Sequence, residues 1–162
     1  MNRATFFILC LFFLCRCIAS GQSLDSLDAH PNILGFEIGI KLKKSKDFKE
    51  GFKFGKQITY DYVGAEKTWQ GFKIESIEVQ TIKDKIISVT LHFNADTSIV
   101  RTLEHLYGKG EGSDTGKEWN GKRIGVSFVQ AISIKPVEGK MKMIPSGISV
   151  SYYDIAKIKD TF

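Results

Sequence analysis

A chain of 162 residues, 43% apolar and 25% charged with a formal net charge of +5, is long enough for one domain with a sizeable core. This composition excludes a disordered chain, and the length excludes a solenoid of many repeats. Arg3 and Arg16 sit in an N-terminal stretch without acids, so from Gln22 onward 21 basic residues face 18 acidic ones, too small an excess for a polybasic nucleic-acid binder.

Residues 1–21 are expected to be a secretory signal peptide. Arg3 gives the positive start, Ala4–Cys15 is an apolar run of 12 residues, and Ala19, Ser20 and Gly21 supply small residues for cleavage. The run is shorter than the roughly 20 residues a spanning helix needs, so no transmembrane helix is expected in the mature chain. Cleavage after Gly21 puts Ala19 at −3; cleavage after Ala19 and retention as an interfacial anchor are the alternatives. Cys10, Cys15 and Cys17 all fall in this segment, which leaves the exported product without a disulfide and dependent on its core. Leu14 precedes Cys15 and Arg16 precedes Cys17, which departs from the small-residue-then-cysteine pattern of a lipid-anchored protein. The expected location is therefore periplasmic or secreted.

Residues 22–32 are polar, contain Pro31, and read as a flexible lead-in or one short helical turn. Residues 33–40 suit a short strand and turn. Ser45 as an N-cap predicts a helix over 46–53, with Phe48 and Phe52 on one face. Gly51 weakens that helix by about 1 kcal/mol relative to Ala. Residues 57–63 read as a strand. Residues 72–82 and 85–93 form a hairpin about Lys83-Asp84. In its second arm Ile87, Val89, Leu91 and Phe93 alternate with Ser88, Thr90 and His92, the pattern of a half-covered antiparallel strand. After Asp96, a candidate N-cap, Ile99, Val100, Leu103, Leu106 and Tyr107 recur at helical spacing, and Gly108 closes the helix. Residues 109–118 hold Gly110, Gly112 and Gly116 and read as a mobile loop. Strands are expected over 122–134 and 147–154. Between them, Pro136 and Pro145 bracket a basic segment containing Met141 and Met143. Residues 156–162 read as a frayed tail.

Self-comparison reveals a repeated string. Residues 67–74 and 117–124 share K-x-W-[QN]-G-x-[KR]-I, which uses both tryptophans of the chain, Trp69 and Trp119. Phe54-Gly55-Lys56 matches Tyr107-Gly108-Lys109, and Ile87-Ser88-Val89-Thr90 matches Ile148-Ser149-Val150-Ser151. The order predicts an internal duplication, with half-repeats at about 45–93 and 97–154 inside one domain over 33–155. In each half the Trp is expected to fold its ring over the sheet edge or the helix, covering a helix–sheet junction, and Gly71 or Gly121 gives a tight turn through positive φ. The expected fold is a two-layer α+β domain, an antiparallel sheet with two helices on one face. The extra length of the second half is expected around residues 135–146.

The amphipathic helix ending in Leu106-Tyr107-Gly108-Lys109, the Gly-rich loop, the Trp-Gly turn and the final Tyr152-Tyr153-Asp154 strand resemble small exported proteins of Bacteroidetes-type bacteria. Their layout is similar to the two-layer modules of β-lactamase inhibitor proteins and small outer-membrane assembly lipoproteins. The resemblance covers roughly residues 33–155 and implies protein binding in the cell envelope. It carries over no catalytic residue.

The chemistry-bearing residues are sparse. His30, His92 and His105 have no metal-ligand spacing. Glu111 and Glu118 break the phosphate-loop pattern before and after Gly116-Lys117. Ser113 and Ser146 lie outside any nucleophile elbow. No cofactor is implied. Lys41, Lys43, Lys44 and Lys46 cluster, as do Lys117, Lys122 and Arg123, and either group suits an anion-facing patch. Ser88, Thr90 and His92 mark the sheet face opposite the helices. These three, with Lys117, Lys122 and Arg123, are the candidate binding residues. The leading expectation is an exported, non-enzymatic binding or scaffold domain for an envelope or extracellular protein or an anionic surface, with no nucleic acid. The alternative is a small hydrolase acting on envelope or extracellular polymer.

Overall fold

A computed structural model describes residues 23–137 and 140–159, so the expected signal peptide and the last three residues lie outside the described residues. The described chain is mostly strand, built around one large antiparallel sheet with three short helices.

Helix α1, Leu24–Ala29, opens the chain with Ser23 as its cap, the Ser23 side chain accepting from the Ser26 N–H. Of the two readings of residues 22–32, the helical turn is therefore the one present. Leu27 is fully buried, so this segment is part of the core. A two-residue hairpin follows, β1 (Asn32–Ile33) and β2 (Phe36–Glu37).

Residues 46–53 are not helical. Strand β3, Phe48–Phe54, pairs with β4, Gln57–Tyr62, placing Phe48 opposite Tyr62 and Glu50 opposite Tyr60. The spacing of Phe48, Phe52 and Phe54 fits a strand as well as a helix. Gly51, which weakens a helix, falls where the register shifts between Glu50 and Lys53, a natural place for glycine in a strand. A tertiary partner decided between two patterns the sequence left nearly equal.

Strands β5 (Thr68–Trp69) and β6 (Phe72–Lys73) form a small separate hairpin. Strands β7 (Ser76–Ile82) and β8 (Lys85–Phe93) form the expected long hairpin, with Lys83 and Asp84 both at positive φ, 50° and 62°. That is the backbone of a tight hairpin turn. Helix α2, Ser98–Tyr107, has Thr97 and not the expected Asp96 at its N-cap, and the Thr97 side chain makes no cap bond; Asp96, one residue earlier, accepts from both the N–H and the hydroxyl of Ser98, and the helix ends at Gly108 with φ 83°.

The Gly-rich segment after it is not a plain loop. It forms β9 (Glu111–Gly112) and β10 (Gly116–Asn120) at the edge of the main sheet. Strands β11 (Ile124–Val137) and β12 (Lys140–Asp154) are 14 and 15 residues long and pair along their whole length. Helix α3, Ile155–Lys159, occupies part of the expected tail.

The main sheet has the order β3-β4-β7-β8-β12-β11-β10-β9, antiparallel throughout. From either edge of the sheet the strands follow in chain order to the middle, where β8 and β12 lie side by side. One face is apolar: Val79, Val89, Leu91, Val126, Phe128, Val150 and Tyr152 share a core cluster with Leu27 of α1 and with Ile99 and Leu103 of α2. Helices α1 and α2 thus both contribute residues to this core cluster. The two copies of the repeated string do not occupy equivalent elements: Trp69 lies in the separate β5–β6 hairpin, while Trp119 lies in the main sheet.

Candidate functional site

The face opposite the core is built from the alternate positions of the same strands. Registers place Ser76, His92 and Ser149 in one row across β7, β8 and β12, and Glu78, Thr90 and Ser151 in the next. Thr90 Oγ1 lies 2.9 Å from Ser151 Oγ, and His92 Nδ1 lies 2.9 Å from Ser149 Oγ. Beside them, the Gln57 side-chain amide donates to Gln80 at 2.8 Å, and that of Gln80 donates to Glu78 at 3.1 Å. Small hydroxyl residues on neighbouring strands are close enough to bond directly, so the face is an ordered polar floor. Thr90 and His92 are half-buried, whereas Ser88 is buried. The sequence identified the β8 half of this floor. It missed Ser149, Ser151 and Tyr153, although their alternation with Ile148, Val150 and Tyr152 was there to read.

The basic trio does not come together as one patch. The Lys117 ammonium contacts Glu104 at 2.7 Å, with its side chain only 16% exposed, and ties β10 to α2. The Arg123 guanidinium donates to the Ile38 carbonyl at 3.2 Å and ties the β10–β11 turn to the N-terminal segment. Two of the three cations are therefore engaged inside the molecule, and Lys122 remains exposed.

What the β10–β11 turn does bind is Asp28. The backbone N–H groups of Lys122, Arg123 and Ile124 donate to its carboxylate at 2.6, 2.9 and 2.8 Å. Successive N–H groups converging on one anion form a nest. Burial opposes the charge on Asp28. The bonds from Ile124, Arg123 and Lys122, with the Lys122 charge, outweigh it and hold the carboxyl below its usual range. Gly121 is needed here for space: a Cβ would sit 2.7 Å from an Asp28 carboxylate oxygen. Gly71 is needed for backbone freedom, at φ 84° beside Gln70 at 50°. The two glycines of the repeated string therefore serve different ends, and the expectation of positive φ holds only at Gly71.

Both tryptophans are buried. Trp69 packs against Phe72 and Phe93 with ring centroids 6.3 and 6.0 Å apart. Trp119 meets the Tyr107 ring edge-on at 6.3 Å and donates its indole N–H to the Gly108 carbonyl at 2.7 Å. The structure thus gives them packing roles. In the lysine-rich segment, Lys41 and Lys44 approach Asp84 at 3.8 and 3.2 Å.

An open hollow of about 380 Å³ lies beside the aromatic trio of Phe36, Phe48 and Tyr62. The three rings meet edge-on at 5.4–6.0 Å. Lys67 caps the trio, its ammonium 5.7 Å from the Phe36 centroid and 5.3 Å from that of Tyr62. A cation of the chain itself thus occupies the ring faces. Among the described residues no group of three or more His, Cys, Asp or Glu could hold a metal, and no helix is long and apolar enough to cross a membrane. No protein-family model, curated protein or solved structure matches the chain.

Proposed function

We propose that the protein is an exported, non-enzymatic binding or scaffold domain of the cell envelope that engages its partner through the polar sheet face. The observation that carries this reading is the two neighbouring pairs of hydroxyl and imidazole groups, Thr90–Ser151 and His92–Ser149, on the sheet face opposite the core cluster. A flat, prearranged set of donors and acceptors suits a protein or polymer surface. Export rests on the charge, apolar run and small residues of positions 1–21. Their resemblance-implied setting is the envelope, with an envelope or extracellular protein as partner.

The same reading takes the domain as a duplicated two-layer build. The edge-to-centre order of both halves supports it, as does the β8–β12 register. Val89 pairs with Tyr152 and Leu91 with Val150, so the matched Val89 and Val150 occupy mirrored places about Thr90–Ser151. Under this reading α1 takes the place assigned to residues 46–53 as the first helix.

The test is a pull-down from the source envelope with the native protein and with Thr90→Arg. A partner held by the native chain and released by a folded Thr90→Arg variant supports the reading; equal capture by both sinks it. Mass spectrometry of the native product should place its N-terminus near Gln22 or Ser20, and a product beginning at Met1 refutes export.

The His92–Ser149 contact favours one second reading, a small hydrolase acting on envelope or extracellular polymer, since a serine beside an imidazole is the start of an activated nucleophile. Labelling by a fluorophosphonate probe that disappears in Ser149→Ala would establish it. Equal labelling of both proteins, or none, removes it.

A further inference from the structure

Strands β11 and β12 outrun the sheet. Pairing to β10 ends at Val129 and pairing to β8 ends at Ile148, while β11 and β12 continue to pair with each other out to Val137 and Lys140. The overhang is a free two-stranded arm reaching about 20 Å at the usual rise per residue. It sits at the end of the sheet away from the Lys83-Asp84 turn.

The arm has two unlike faces. Ile132 pairs with Pro145, Ile134 with Met143 and Pro136 with Met141. Alternate cross-strand pairs lie on one side, so these six form a wholly apolar face. It is also exposed: Ile132 is 45% accessible, Ile134 63%, Met141 69% and Met143 75%. The other side is mixed: Lys135 stands directly opposite Lys142, with Ser133 opposite Ile144 on one side of that pair and Val137 on the other. Like charges in that position destabilise a ribbon in water, and an anionic surface would relieve the cost.

The edges of the arm argue against another strand. Pro136 on one and Pro145 on the other lack a donor, and proline and lysine on an edge are the usual guards against strand addition. What remains for binding is an apolar face backed by a pair of cations on the opposite side, an amphipathic arrangement of the kind that lies in a membrane interface with its charges at headgroup level. We infer that the β11–β12 arm docks reversibly on an anionic phospholipid bilayer, with Ile132, Ile134, Met141 and Met143 among the acyl chains and Lys135 and Lys142 reaching the phosphates. This goes beyond the proposed polar-face binding and does not depend on it.

The test is co-sedimentation of the native protein with phosphatidylcholine vesicles, with and without about one-third phosphatidylglycerol. Preferential binding to the anionic vesicles is expected. Ile134→Asp/Met143→Asp should lower that partition at least about tenfold, and Lys135→Glu/Lys142→Glu should lower it about as much and abolish its salt dependence. All forms share one N-terminus, so the differences belong to the arm. If the Asp variant does not fold, Ile134→Ser/Met143→Ser is read in its place. Failure to bind, or equal binding by native and variant proteins, overturns the inference. So does self-association, by sedimentation velocity without lipid, that the arm variants abolish, because the face would then belong to a second copy.

Discussion

At the scale of single residues, Asp28 shows how a short polar segment becomes structural. Its carboxylate takes three backbone donors from residues 94 to 96 positions later in the chain. Asp28→Ala should cost about 1 kcal/mol in urea unfolding at pH 7, at the low end for bonds to a charge because water reaches the site. The folded-state carboxyl is held below its ordinary value, so its contribution is complete above the unfolded value near 4 and fades as the pH falls through the lower folded one. The gap between native and variant proteins should narrow across that acid range; a constant gap would show that the charge is not what matters. Nothing local in residues 22–32 announces this contact, since the donors come from a distant turn. The burial of both tryptophans was legible, because a large aromatic at the start of a turn has few other places to go.

At the scale of elements, legibility followed the strength of the periodic pattern. Helix α2 and the β7–β8 hairpin were plain because apolar residues recur over several turns or pleats. Ile99 and Leu103 are fully buried on the sheet, so Leu103→Ala should lose about 2–5 kcal/mol. A loss below about 1 kcal/mol in chemical denaturation would mean that the helix packs loosely. Residues 46–53 were misread because two phenylalanines four apart satisfy both periods, and only the partner strand β4 breaks the tie. The Lys83-Asp84 turn is a different lesson: the chain forms a tight hairpin with a residue poorly suited to positive φ. Lys83→Asn should stabilise the protein by about 0.5–1 kcal/mol, since Asn accepts the left-handed backbone more readily. An unchanged midpoint in urea would show that the turn is under no such load.

At the scale of the whole molecule, the polar sheet face was half legible, because one strand of alternating sequence reveals its own side but not its neighbour. The arm was legible only as extra length between Pro136 and Pro145, since its face pairing depends on register. Its position outside the sheet gives a measurable contrast. In native-state hydrogen exchange the amides of Ser133–Lys135 and Met141–Ile144 should exchange well before those of Val89–Leu91 and Val150–Tyr152, which open only with the whole domain. Uniform protection would mean that something covers the arm in solution.

The central place of β12 has a consequence for how the chain comes to fold. Strands β3, β4, β7 and β8 follow one another in the sheet, as do β9 to β12, but within the sheet the two groups are joined where β12 pairs with β8, across about sixty residues of sequence. Closing so long a loop is slow and repays nothing until it is complete. The strand that closes it is also the last of the sheet to leave the ribosome. Until residues 148–153 are available, the two strand groups each keep an unpaired edge, so the sheet closes only when β12 arrives. The export proposed above, if it moves the chain unfolded, is helped by that delay.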